Sequence, residues 1–272
     1  MNILIGTSGY SYDDWKGSFY PSKLKRGDML GYYASCFPVV EINSTYYGMP
    51  RPEAMFQMTR RVPRGFLFTL KAHADMTHSQ QFHPEAFARF REALEPLREA
   101  DMLGCVLAQF PGSFHRTRQN EAYLATVREE LPEIPVVVEF RSATWVKDEV
   151  FQRLRDLHLG FCCVDEPRLT GLMPPVVAAT SPVGYVRFHG RNAEKWWQHD
   201  EAYERYDYLY RDEELREWRP KVEELAAQTE RTFVFFNNCH EGKSGHNARD
   251  FARLLRLPLP EPPQGALDLG LG

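Results

Sequence analysis

The chain has 272 residues, 43% hydrophobic and 13% aromatic, with a formal net charge of −4. That apolar share supports a sizeable core and excludes global disorder, while the acidic balance gives no overall attraction to nucleic acid or to an anionic membrane surface. No run reaches the roughly 20 apolar residues that span a bilayer. The opening MNILIGTSGY enters a strand-like pattern without a basic leader, so a cytoplasmic location is expected. The five cysteines are odd in number and lack metal-type CxxC spacing, which reads as small thiols in a reducing compartment.

In chain order, short apolar runs predict strands at 2–8, 39–45, 66–73, 103–110, 135–140, 160–166, 184–190 and 232–238. Between them, amphipathic or charged stretches predict helices at 84–99, 119–130, 147–158, 211–229 and 244–256. Another is expected to begin at Arg51-Pro52-Glu53, where proline suits a first turn. Strands alternating with helices indicate βαβ units and a parallel sheet. Eight units in about 250 residues predict an α/β fold, a single (β/α)8 barrel over 1–256. An open doubly wound sheet is disfavoured because no GxGxxG follows the first strand.

Two segments interrupt the alternation. RLTGLMPPVVAATSPV (168–183) holds three prolines where a sixth helix belongs, so that helix is expected to be missing or irregular. The aromatic-rich stretch 192–210 makes a long loop after strand 7, of the length that lids and binding loops have. From 257 to 272 the chain reads as a proline-rich tail, extended or frayed.

Polar residues gather at the strand ends, often two apart and therefore on one face. Glu41 and Asn43 share a face, as do Thr69, Lys71 and His73, and Glu139 and Arg141. Gln109, Asp165 and Asn237 each close a strand. In GYVRFHGRN, Arg187, His189 and Arg191 fall on alternate positions. A barrel accounts for this, because its catalytic mouth lies at the C-terminal ends of its strands.

Long ordered blocks of the sequence resemble the DUF72 family, whose bacterial members are called YecE-like. They include GTSGYSYDDWKGSFYP (6–21), VEINSTYYGMP (40–50), FTLKAHADMTH (68–78), QFPGSF (109–114), EFRSATW (139–145), YVRFHGRN (185–192), YDYLYRDEEL (206–215) and FNNCHEGKSGHNA (236–248). The resemblance runs from residue 2 to about 256 and implies a TIM barrel. It leaves the activity open, since the family's biochemistry is not established. Cys239 before His240 departs from the family's usual pattern and leaves the role of His240 open.

Three readings of the mouth compete. The first is an enzyme of hydrolase or lyase/isomerase type acting on a small anionic substrate, phosphate- or carboxylate-bearing. Lys71, His73, Arg141, Arg187 and Arg191 would bind charge, since arginine forks suit such anions. Glu139, Asp165 and His189 are the expected acid/base groups. Asn43, Gln109, Asn237 and Asn238 would orient the ligand, and Tyr10, Trp15, Tyr46 and the 196–210 loop would cover it. The second is a metal-dependent hydrolase or endonuclease-like enzyme with Zn or Mn on Glu139, Asp165 and His189, joined by Glu41 or His240. Arg141 and Arg187 beside those ligands argue against it, so no metal or other cofactor is expected. The third is a non-catalytic barrel binding a ligand or nucleic acid, with Trp196, Trp197 and Tyr203–Tyr210 stacking bases. Nucleic acid is the less favoured partner, no membrane partner is expected, and the oligomeric state is left open.

Overall fold

In the computed structural model, residues 2–79, 81–201 and 203–261 are described. Eight strands form one parallel sheet: β1 (Ile3–Thr7), β2 (Val39–Ile42), β3 (Leu67–Lys71), β4 (Leu103–Gln109), β5 (Val136–Glu139), β6 (Leu159–Asp165), β7 (Val183–Phe188) and β8 (Arg231–Phe236). Consecutive strands pair from β2 to β8, and β8 pairs β1. The barrel closes between β1 and β2 through a bridge from Ser8 to Glu41 and a hydrogen bond from the Gly9 amide to the Glu41 carbonyl, 2.7 Å. Lower in this seam, the Tyr33 hydroxyl accepts from the Thr7 amide (2.8 Å) and donates to the Val39 carbonyl (3.1 Å). Gly6 allows that approach, because a β-carbon there would sit 2.1 Å from the Val39 oxygen.

The helices are α1 (Met29–Ala34), α2 (Ser44–Tyr47), α3 (Pro52–Thr59), α4 (Ala74–Thr77), α5 (Pro84–Glu99), α6 (Arg118–Glu130), α7 (Asp148–Asp156), α8 (Asp212–Ala227) and α9 (Lys243–Leu254). Their starts follow local chemistry. Pro52 and Pro84 open α3 and α5, the Thr117 side chain accepts from the Asn120 amide, and Glu214 accepts from the Arg211 amide. Along α5, Ala86, Phe87, Phe90, Ala93, Leu94 and Leu97 recur at three- and four-residue spacing and are all buried against the barrel.

Every expected strand is present, within a few residues at its ends. The expected strands to residues 45 and 73 instead stop at 42 and 71, where the short helices α2 and α4 begin. Among the described residues no helix forms between β6 and β7. The connection is held by hydrogen bonds such as Thr180 Oγ1 to the Leu159 carbonyl, 2.7 Å. Among the described residues of the loop from β7 to α8, the one helical segment is a short 3-10 turn, Glu204–Tyr206. Residues 257–261 continue without regular structure, with Leu257 and Leu259 against the core; the rest of the expected tail lies outside the described residues. No helix among the described residues is long and apolar enough to cross a membrane.

Candidate active site

Strand pairing decides which side chains enter the barrel, because residues paired in a parallel sheet face the same way. Thr69 and Lys71 on β3, Gln109 on β4, Glu139 on β5, Cys162 and Val164 on β6, Tyr185 and Arg187 on β7, and Glu41 on β2 all face inward. At the C-terminal ends they build a buried polar layer.

Glu139 is fully buried and takes donors on both oxygens. Arg187 Nη1 reaches Oε2 at 2.6 Å and His189 Nε2 lies 3.2 Å from Oε1; Arg141 Nε stands 2.7 Å from Oε1 as an ion-pair contact without hydrogen-bond geometry. Arg187 Nη2 continues across the barrel to Glu41 Oε1 at 2.7 Å. The other Glu41 oxygen accepts from the Tyr185 hydroxyl at 2.6 Å, and Tyr185 also meets Thr69 Oγ1 at 3.0 Å. Burial alone would raise the Glu139 carboxyl, but Arg187 and Arg141, with His189, hold it well below the usual carboxylate range. Burial and the nearby Arg141 push His189 down to about 3. It is therefore neutral: Nδ1 accepts from Asn237 Nδ2 at 3.1 Å, which places the proton on Nε2, toward Glu139.

Lys71 stands apart from this network. Its Nζ lies 4.0 Å from the centre of the Tyr46 ring, and among the described residues no carboxylate is within ion-pairing distance. Burial, then Arg187, depress its amine to about 8, against partial support from Glu139. The placement is local in origin. Thr45 on α2 donates to the Lys71 carbonyl at 2.6 Å, which pins Tyr46 over the end of β3.

Several expected positions lie elsewhere. Asp165 was expected at the mouth, but it pairs with Phe188 on the outer side of the sheet. There it accepts from Arg191 Nε (2.8 Å) and Nη2 (3.0 Å) and from Trp218 Nε1 of α8 (2.8 Å). The alternation of β6 carries inward through Cys162 and Val164 to the next residue, Glu166. Its carboxylate accepts from the Met173 amide at 2.7 Å and lies 3.5 Å from Arg141 Nη1. Arg191 does not extend the face of Arg187 and His189. Gly190, at φ +88°, turns the chain, and Arg191 reaches Asp165, Glu214 and Glu217 outside the barrel. Trp15 is wholly buried, with Nε1 on the Cys239 carbonyl at 2.6 Å, so it is core rather than cover. Tyr10 packs on Tyr33, His73 caps α4, and Asn238 ties Tyr208 and Asn247. Gln109 faces the interior but its amide donates to the Phe110 carbonyl. Asn43 stands at the start of α2, its Oδ1 buried with no hydrogen-bond partner among the described residues.

The loop after β7 reaches over the mouth with Tyr206, whose ring centre is 6.1 Å from that of His189. Trp196 and Tyr210 are buried, whereas Trp197 is exposed. A cavity of about 490 Å³ lies here, lined by Tyr12, Asp14, Tyr203, Tyr206, Asn237, Cys239 and His240. Among the described residues no three His, Cys, Asp or Glu side chains gather as metal ligands; Glu139 faces two guanidinium groups and Asp165 points outward. All five cysteines are free, with Cys162 toward Glu139 and Cys163 on the opposite side of the strand.

Glu166, Tyr185 and His78 are the functional candidates that sequence reasoning left out. Glu166 was open to it, because counting by twos from any inward residue of β6 lands on 166 and misses 165.

The fold and the polar layer at its C-terminal ends define a (β/α)8 barrel protein of the kind that carries its site on strand ends. The chain belongs to the family described as Protein of unknown function DUF72, which matches residues 4–266. It is 31% identical to the UPF0759 protein YunF of Bacillus subtilis (strain 168), across 94% of this chain and 95% of that one. It is also similar to a solved DUF72 family protein from Thermotoga maritima MSB8, at 40% identity and a TM-score of 0.87, covering 94% of this chain and 100% of the other. A DUF72 family protein from Enterococcus faecalis V583 aligns with a TM-score of 0.85 at 28% identity, over 96% and 99% of the two chains.

Proposed function

We propose that this protein is an enzyme acting on a small phosphate- or carboxylate-bearing substrate at the C-terminal mouth of its barrel. The observation that carries the proposal is the uneven pairing of the cations in the layer. Arg187, Arg141 and Lys71 stand with three carboxyl groups, Glu41, Glu139 and Glu166, of which Arg187 meets the first two and Arg141 lies beside the last two. Arg187 is satisfied by two carboxylates. Lys71 has none, and Arg141 keeps 15% of its side chain exposed, so the anionic group belongs between these two.

In this arrangement Glu139 remains an anion that orients Arg141 and His189, and His189 holds its proton toward Glu139. Asn237 fixes that tautomer, and Tyr206 closes the cavity beside it. A buried ionic layer is a poor way to stabilise a fold, because equally large apolar side chains generally do at least as well. Its presence at the catalytic end of a barrel fits a site.

The test is thermal melting of the purified protein against inorganic phosphate and a panel of phosphorylated and carboxylated metabolites. A ligand at about 100 times its Kd contributes about 2.7 kcal/mol to the folded state, a rise of several degrees. Arg141→Leu with Lys71→Met should abolish the rise. The reading fails if no anion raises the melting temperature, or if the double variant responds like the parent.

A further inference from the structure

Lys71 is the one lysine of the inward polar layer, and its surroundings are those of a reacting amine rather than of an ion-pair partner. Its carbonyl is clamped by Thr45, its Nζ lies against the Tyr46 ring, and the cations Arg187 and Arg141 are near enough to disfavour its charge. The Tyr46 ring packs in turn on His78, 4.9 Å between centres, and His78 Nδ1 meets Thr77 Oγ1 at 2.9 Å. Desolvation beside another cation is how proteins make a lysine nucleophilic, since both disfavour the ammonium.

From this geometry we infer that Lys71 is a covalent nucleophile, forming an imine with an aldehyde or ketone that also carries a carboxylate or phosphate. This rests on the anionic-substrate reading above and names the second functional group of that substrate. The neutral Nζ adds to the carbonyl carbon, and one amine proton passes to the oxygen to give a carbinolamine. Loss of that oxygen as water, with the second amine proton, leaves a C=N bond. Two N–H bonds and one C=O bond are exchanged for the imine and one water, with no change of oxidation state. Arg141, within reach of Glu139 and Glu166, is the cation that receives the anionic end. The amine is ready near neutral pH, because burial and the adjacent Arg187 bring it down to about 8.

The experiment is reductive trapping. The full-length protein at pH 7.5 is treated with glyoxylate and a limiting amount of cyanoborohydride, then digested and mapped by mass spectrometry. The expected result is one carboxymethyl group on the peptide containing Lys71, appearing about a hundredfold faster than on exposed lysines, which are almost wholly protonated at that pH. Inorganic phosphate should slow the labelling, and Lys71→Arg should remove the fast phase. Uniform slow labelling over many lysines overturns the proposal, and if anions still raise the melting temperature, the anionic-substrate reading survives it. Fast labelling of Lys71 by both glyoxylate and uncharged acetaldehyde, with no thermal response to any anion, upholds the nucleophile and removes the anionic substrate.

Discussion

Arg187 on β7 and Glu139 on β5 meet at 2.6 Å inside the barrel, although β6 lies between their strands. The inward curve of a closed sheet brings them together, and Arg187 then crosses to Glu41 on β2. One guanidinium thus bridges two buried carboxylates from different strands. Arg187→Met removes the charge that both require and should destabilise the protein by about 3–5 kcal/mol. Urea unfolding measures this; a loss below about 1 kcal/mol would show that the carboxylates find other partners. Arg187→Met with Glu139→Gln and Glu41→Gln should recover part of the loss.

The same layer sets an acid limit. His189 is held to about 3 and His78 to about 4 in the fold, below the ordinary value of 6.5. As pH falls below 6.5, the unfolded chain takes up protons that the folded chain refuses, so stability drops with falling pH. The slope approaches about 1.4 kcal/mol per pH unit for the buried His189, while the half-exposed His78 adds a smaller, solvent-screened share. The depressed Glu139 adds to the loss below 4.5, where its unfolded form protonates first. Urea midpoints from pH 7 to pH 4 measure the slope. His189→Gln should flatten it between 6.5 and 4.5, and an unchanged slope would mean that His189 is charged in the fold.

Lys71 carries the opposite signature of function over stability. Its amine is depressed from 10.5 to about 8, so the charged form weakens the fold fully below pH 8 and not at all above 10.5. Lys71→Met should therefore raise stability at pH 7 by about 1–2 kcal/mol while removing the response to anions. A destabilised variant would indicate instead that the ammonium is bound by the fold.

Asp165 and Glu166 are neighbours in sequence on opposite sides of the sheet, and their substitutions should separate. Asp165→Ala removes the acceptor of Trp218 and one of the three carboxylates around Arg191, and should cost about 2–4 kcal/mol without altering ligand-induced melting shifts. Glu166→Gln should change stability by less than about 1 kcal/mol but strengthen anion binding, because it removes a carboxyl beside Arg141. Equal effects on ligand response would place both residues at the same face.

Gly190 turns the chain away from the basic face of β7. At φ +88° an added β-carbon would sit 2.8 Å from Tyr208 Cβ, so Gly190→Ala should cost about 1–3 kcal/mol. It should also raise protease sensitivity within 191–210, because the Gly190 amide donates to the buried Tyr210 hydroxyl at 2.8 Å. An unchanged cleavage pattern would show that this turn does not hold the loop.

Much of this architecture is written in short-range pattern. Apolar runs of six to eight residues, separated by helices with their own starts, are local properties, so the eight strands were legible. So were the prolines that forbid a helix before β7, and the polar character of the strand ends. Inward or outward placement was only half legible. The period of two predicts a face as long as the strand continues, and β2, β3 and β7 each end where the prediction ran on. His73 passed into the cap of α4, and Arg191 passed beyond the Gly190 turn.

The partners of each charge were not legible at all. Arg187 and Glu41 are 146 positions apart, and Asp165 and Trp218 are 53. No pattern within a strand specifies which carboxylate on another strand will satisfy an arginine, because that depends on barrel closure and on how far each side chain reaches across. Composition and periodicity thus established the barrel and the end of it that carries the polar groups. Closure in three dimensions turned a ladder of three basic residues into one that bridges carboxylates, one held neutral and one outside. It also left Lys71, which looked like any other basic residue in the chain, in the polar layer with no ion-pair partner among the described residues.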